Sequence, residues 1–158
     1  MIKVLFVCLG NICRSPLAEA LFKHKIKLES LSHRFEVDSC GTGDYHIGSQ
    51  PDHRTIKVAH QNGVEIFHAC RQLKGDDLDY FDYIVAMDKS NHSDILQWST
   101  QKIHEEKVLL MRNFDIMQTG TEVPDPYHGG DREFQEVYSI LDRCLNGFIS
   151  HVKLKHSL

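Results

Sequence analysis

The sequence is short of the residues that mark non-globular chains, with only 10 glycines and 4 prolines among 158 residues. Collagen-like and low-complexity classes are excluded on that ground, and 41% apolar with 25% charged residues excludes a disordered chain. A charge excess is missing too: 18 basic side chains face 22 acidic ones, a net −4. No broad field exists to hold nucleic acid or anionic lipid, and the longest basic cluster is the mixed stretch Lys23 to Lys27. No apolar run approaches the ~20 residues of a membrane span, so neither nucleic acid nor membrane is expected as a partner. The apolar start of the chain lacks a small-residue cleavage site and reads as a strand rather than a signal peptide. Five cysteines at irregular spacing do not make a secreted disulfide framework and point to a reducing compartment, the cytoplasm. Eleven histidines are scattered without the close Cys/His pairing of a zinc site; His53 and His60 could share a helix face, but no second pair completes a set. Neither G-x-x-x-x-G-K-[ST] nor G-x-G-x-x-G follows a strand, so no nucleotide, metal or other cofactor is expected.

What is present suits one domain over residues 1–158, on a prior of roughly 150 residues per domain. Ile2 to Val7 is apolar apart from Lys3, as in a strand buried on both faces of a parallel sheet. Ser15-Pro16 signals a helix start, an N-cap hydroxyl followed by proline. Behind it Leu17, Ala20, Leu21, His24 and Leu28 would form the buried stripe. Further strands are predicted at Arg34 to Ser39, Tyr83 to Met87 and Lys107 to Leu110. Helices are predicted at Asp52 to Gln61, stopped by Asn62-Gly63, at Ser90 to Trp98 and at Arg132 to Val152. The alternation predicts an α/β fold, a four-stranded parallel sheet with helices on both faces. Met111 to Gly130 lacks periodicity, and loops of that length are usually functional or disordered.

The chemistry belongs where the first strand hands over to the first helix, because a loop at the carboxyl end of a parallel strand leading into a helix N-terminus is an anion site. Between Cys8 and Arg14 stand Leu9, Gly10, Asn11, Ile12 and Cys13, enough backbone to curl amides around one tetrahedral oxyanion. Gly10 and Asn11 tolerate the left-handed conformations such a curl demands. Arg14 offers a planar fork matching two phosphate oxygens. A cysteine beside a helix N-terminus and an arginine is the setting that lowers thiol pKa values from about 8.5 to roughly 3.5–7.5. Ser15 can donate its hydroxyl to that sulfur, making it a better leaving group from a phosphocysteine. The pair Cys8 and Arg14 alone would be common by chance; the strand before them and the helix start behind them supply the context.

Val7 to Pro16, V-C-L-G-N-I-C-R-S-P, resembles the signature of the low-molecular-weight protein tyrosine phosphatases, and Asp125-Pro126-Tyr127 resembles their general-acid loop. Asp38 to Thr42, Ile47-Gly48, Pro51-Asp52, His68, Arg71-Gln72, Met87-Asp88 and Ser90-Asn91 match as well, so the likeness covers essentially the whole chain. The resemblance implies metal-independent hydrolysis of phosphotyrosine in proteins, and of small aryl phosphates, through a cysteinyl phosphate. Tyrosine-phosphorylated proteins would be substrates, and inorganic phosphate or other oxyanions inhibitors. It gives Cys8 the role of nucleophile, Arg14 that of clamp and Asp125 that of acid and then base. It makes Tyr45 and Tyr127 pocket-rim aromatics, and Asn11, Ser39 and His68 a hydrogen-bonded support beneath the loop. Position 128 departs: animal members often carry a second tyrosine there, and this chain has His128. Cys13 would face Cys8 and could protect it through a redox-sensitive disulfide.

Two alternatives share the loop. A thiol-coupled arsenate reductase needs two further cysteines in close C-x6-C spacing; Cys40 and Cys70 are far apart in sequence and the D-P-Y is retained. A non-catalytic phosphopeptide-binding module would be expected to have lost Cys8 or Asp125, and both are present.

Overall fold

A computed structural model of the chain describes residues 1–117 and 121–158. Four strands, β1 (Ile2–Cys8), β2 (Phe35–Gly41), β3 (Tyr83–Ala86) and β4 (Val108–Leu110), form one parallel sheet in the order β2-β1-β3-β4. Along β1 the side chains alternate between two cores, as strand geometry requires. Val4, Phe6 and Cys8 face one, and Leu5 and Val7 face the other. The first core is covered by α1 (Arg14–Leu28), α2 (His53–Gln61) and α6 (Asp131–His156). The second is covered by α3 (Gly75–Tyr80) and α4 (Lys89–Leu96), with α5 (Lys102–Lys107) beside β4. Helices therefore lie on both faces, as predicted. The chain leaves β1 toward β2 on one side and reaches β3 on the other. The carboxyl end of β1 thus sits where strand order reverses, the place at which open α/β sheets bind ligands.

Three local expectations are corrected. α1 starts at Arg14 behind Cys13, and Ser15 is not its cap, because the Ser15 hydroxyl is committed to Cys8 and Asn11. The buried face of α1 runs through Leu17, Leu21, Phe22 and Ile26, whereas Leu28 is 74% exposed and His24 half-buried. Gly10 does not take a positive φ; among the loop residues only Asn11 does, at 57°. A Cβ at Gly10 would stand 3.2 Å from the His46 ring, a tight approach that this half-buried side chain would have to yield to by a few tenths of an ångström. Helices α3 and α5 were not predicted, each being only six residues long and so too short to show a helical period. The aperiodic stretch 111–130 opens with a 3-10 turn over Met111–Phe114, and its residues 118–120 lie outside the described residues. Elsewhere the boundaries agree within a few residues, and Gly63, with φ 73°, ends α2 as expected.

Candidate active site

The loop from Cys8 to Arg14 is held in shape by Asn11. Its left-handed backbone is a conformation asparagine tolerates better than most residues. Its side-chain Oδ1 accepts the Arg71 backbone N–H at 3.0 Å, which fixes the amide orientation. Nδ2 then donates to Ser15 Oγ at 2.8 Å and to Ser39 Oγ at 3.0 Å. Because Ser15 Oγ accepts there, its own proton is free for Cys8 Sγ, 3.0 Å away, a closer partner than the Cys40 carbonyl at 3.4 Å. The Ser39 hydroxyl likewise passes its proton to Glu19 Oε1 at 2.8 Å. His68 closes the network, with Nε2 2.6 Å from Asn11 Oδ1 and Nδ1 3.2 Å from Glu19 Oε1. The Asn11 carbonyl accepts from the Cys70 thiol at 2.9 Å. Gly41, at the end of β2, lets the loop lie down on the sheet: a Cβ there would meet the Leu9 carbonyl oxygen at 2.6 Å.

Arg14 is 3% exposed. Its Nη1 donates to Asp88 Oδ2 at 2.7 Å and to the Val123 carbonyl at 3.0 Å, and its Nη2 lies 3.7 Å from Asp125 Oδ2. Burial works against the Arg14 charge, but Cys8, Asp88 and Asp125 outweigh it and raise its pKa. The cleft above the loop, ≈ 460 Å³, is lined by Cys8, Leu9, Gly10, Ile12, Cys13, Arg14, Tyr45, His46, Asp125, Tyr127 and His128. Cys8 lies at its base, and Tyr45 and Tyr127 at its walls are 69% and 43% exposed. All the residues singled out in the sequence meet here, Ser39 and His68 directly beneath the loop and the others in it or around the cleft. The sequence reading assigned no role to Asp88, Glu19, Arg71, Cys70 or His46. Asp88 carried one usable signal, its place just past β3 as the N-cap of α4, where Oδ1 accepts the Asn91 N–H at 2.7 Å.

Burial pushes the other thiols up, Cys13 to about 12, Cys70 to about 11, Cys144 to about 12, and Cys40 well above its ordinary value. Among the described residues, Glu19, Asp38 and His68 are close enough to share a cation, with ligand atoms within 4.8 Å of one another. Their hydrogen bonds are already committed, Asp38 to Arg71 Nε at 2.9 Å and Glu19 to Ser39 and Lys23. The cluster is therefore the base of the Asn11 network, and it lies outside the cleft.

Fold and loop together define an α/β protein that presents a buried cysteine and a buried arginine on one loop at the switch point of a parallel sheet. The family model described as low molecular weight phosphotyrosine protein phosphatase matches residues 3–158. A protein of that name from Schizosaccharomyces pombe is 45% identical over 152 residues, covering 96% of this chain and 97% of its own. The human protein of the same name is 41% identical over 147 residues, 92% of each. The crystal structure of a protein tyrosine phosphatase from Entamoeba histolytica superposes with a TM-score of 0.92 at 39% identity, covering 99% of both chains. The chain belongs to the low molecular weight phosphotyrosine protein phosphatase family.

Proposed function

We propose that the protein hydrolyses phosphotyrosine in proteins, and small aryl phosphates, with Cys8 as nucleophile, Arg14 as clamp and Asp125 as proton donor and acceptor. The observation that carries this reading is the Cys8 sulfur, 3.0 Å from the Ser15 hydroxyl, in a cleft lined also by Arg14 and Asp125. In the first step the Cys8 thiolate attacks phosphorus, the S–P bond forms and the P–O bond breaks. The Asp125 carboxylic acid gives its proton to the leaving tyrosyl oxygen. In the second, water attacks the cysteinyl phosphate, Asp125 takes its proton, and the sulfur leaves as a thiolate steadied by Ser15. The amides of Leu9 to Cys13 and the Arg14 fork hold the phosphoryl oxygens throughout. Tyr45 and Tyr127 flank the substrate ring, with His128 beside them, and the depth of the sulfur favours an aryl ester over the shorter serine phosphate. Inorganic phosphate and other oxyanions occupy the same loop as inhibitors.

No helix among the described residues is long and apolar enough to cross a membrane. The five cysteines are free and buried, which supports a reducing cytoplasm. Cys13 is assigned protection of the nucleophile. Peroxide converts Cys8 to a sulfenic acid, and the Cys13 thiol displaces hydroxide to form a disulfide that a reductant reopens. The arsenate reductase reading is not favoured: Cys40 is fully buried in β2 and the Cys70 thiol is spent on the Asn11 carbonyl.

Hydrolysis of p-nitrophenyl phosphate without added metal tests the reading. Cys8→Ser is expected to abolish turnover yet still bind phosphate. Asp125→Ala is expected to lower kcat/KM for phenyl phosphate by about 100-fold or more, and far less for p-nitrophenyl phosphate, whose leaving group needs little protonation. Phosphopeptide binding without turnover would make the protein a recognition module, and equal loss on both esters would remove Asp125 from its role.

A further inference from the structure

The start of α2 touches both halves of the site. The Asp52 backbone N–H donates to the Ile12 carbonyl at 2.9 Å, and the Thr55 hydroxyl to the Cys13 carbonyl at 3.4 Å, so this helix end is pinned to the phosphate loop. Asp52 caps the helix through Oδ1, which accepts the Arg54 N–H at 2.9 Å. The same carboxylate takes the Arg54 guanidinium as a fork, Nε on Oδ1 at 3.0 Å and Nη2 on Oδ2 at 2.9 Å. What remains of that guanidinium reaches the segment that follows Asp125. Nη2 donates to the Tyr127 carbonyl and Nη1 to the Gly129 carbonyl, each at 3.0 Å. Its plane lies over the Phe134 ring, 4.4 Å from the centroid, at the start of α6.

Tyr127 is the connecting residue. Its N–H donates to Asp125 Oδ1 at 3.1 Å, while its carbonyl is held by Arg54. With Oδ1 so engaged, Oδ2 is the oxygen that lies toward Arg14, 3.7 Å from its Nη2. We infer that Arg54 is a positioning residue for proton transfer: its fork joins Asp52, fixed to the phosphate loop, to the two carbonyls that set where Asp125 stands. The inference rests on the assignment of Asp125 as the acid proposed above. Arg54 touches no reacting atom; it acts through the backbone of Tyr127 and Gly129, and its guanidinium also lies 5.7 Å from the centroid of the Tyr127 ring. Lysine cannot replace it, since a single ammonium cannot satisfy a bidentate carboxylate and two diverging carbonyls together. A misplacement of about 1 Å at a reacting group costs up to about 100-fold in rate, so a looser segment should show first in the step that needs the acid.

The test compares Arg54→Gln, Arg54→Lys, Asp125→Ala and the double variant Arg54→Gln/Asp125→Ala. It measures kcat/KM for phenyl phosphate and p-nitrophenyl phosphate, competitive inhibition by inorganic phosphate, and the thermal midpoint. Both Arg54 variants are expected to lose about tenfold or more on phenyl phosphate. On p-nitrophenyl phosphate, and in phosphate inhibition, they should stay within about threefold of the parent, because the loop that binds the oxyanion is untouched. On phenyl phosphate the double variant should be no slower than Asp125→Ala, since a clamp cannot position an acid that is gone. If Arg54→Gln folds poorly, Arg54→Lys keeps the charge and supports the same comparison. Equal losses on both esters, weakened phosphate binding, or losses that multiply in the double variant would overturn the inference. An Asp125→Ala variant that does not discriminate between the esters would instead remove the acid assignment, and this inference with it.

Discussion

Asn11 spends both its side chain and its main chain on the loop. The side chain meets Arg71, Ser15, Ser39 and His68, and the carbonyl meets Cys70, so a left-handed residue that would otherwise be strained is held from several sides. Asn11 was legible through the signature around it, and Ser39 and His68 through separate positions of the family resemblance. Glu19 was not, because a glutamate on a helix ordinarily marks a solvated face. Here it is 3% exposed and anchors the network from below. Burial pushes its carboxyl up, but hydrogen bonds with His68 and Lys23 outweigh that and leave it below its usual 4.5. A carboxyl lowered by folding adds stability that is fully present above 4.5 and fades as pH falls through its folded value. Glu19→Gln is therefore expected to cost about 1–3 kcal/mol at pH 7. In urea denaturation its difference from the parent should narrow as the pH is lowered past 4.5. A gap of the same size at both ends of that range would show that the charge on Glu19 does not matter.

At the scale of the element, α1 shows how a site alters a rule of helix formation. Serine before proline normally caps, yet this helix begins at Arg14 without a side-chain cap, so the Ser15 hydroxyl serves the sulfur and the first-turn amides face the loop. The sequence offered Ser15 both the cap and the bond to Cys8, and the structure keeps only the second. α6 carries a second local conflict. Gly147 lies in its middle, where glycine costs about 1 kcal/mol relative to alanine. The reason is contact: a Cβ at 147 would fall 2.2 Å from the Phe114 carbonyl oxygen. Gly147→Ala should therefore destabilise the protein despite its better helix propensity, by about 1–3 kcal/mol for overpacking. A thermal midpoint raised by the alanine would show that the helix and the 3-10 turn can move apart freely.

The whole molecule holds the loop by fixing β1 between two cores and then closing one of them with the last helix. Phe148 of α6 stacks against Phe6 of β1 at 6.2 Å, Phe22 of α1 at 5.9 Å, Tyr83 of β3 at 5.6 Å and Phe114 at 5.1 Å, and it is fully buried. Phe148→Ala is expected to cost about 3–5 kcal/mol, read as a lower urea midpoint, and a loss below about 1 kcal/mol would mean that the core refills the space. Asp125 was singled out only through the family resemblance, whereas the sequence by itself determined the class of fold, the sheet's strands and the loop from Cys8 to Arg14. Those features are local: a buried parallel strand is a continuous apolar run, and a loop that wraps phosphate is a short string of residues. Only the tertiary structure decided that Asp88 holds Arg14, that Glu19 underlies Asn11, and that Arg54 reaches from Asp52 to the carbonyls beside Asp125. Arg14–Asp88, Glu19–Ser39 and Arg54–Tyr127 are separated along the chain by more than any periodicity or motif records, and they meet because the fold brings those segments to the same end of the parallel sheet.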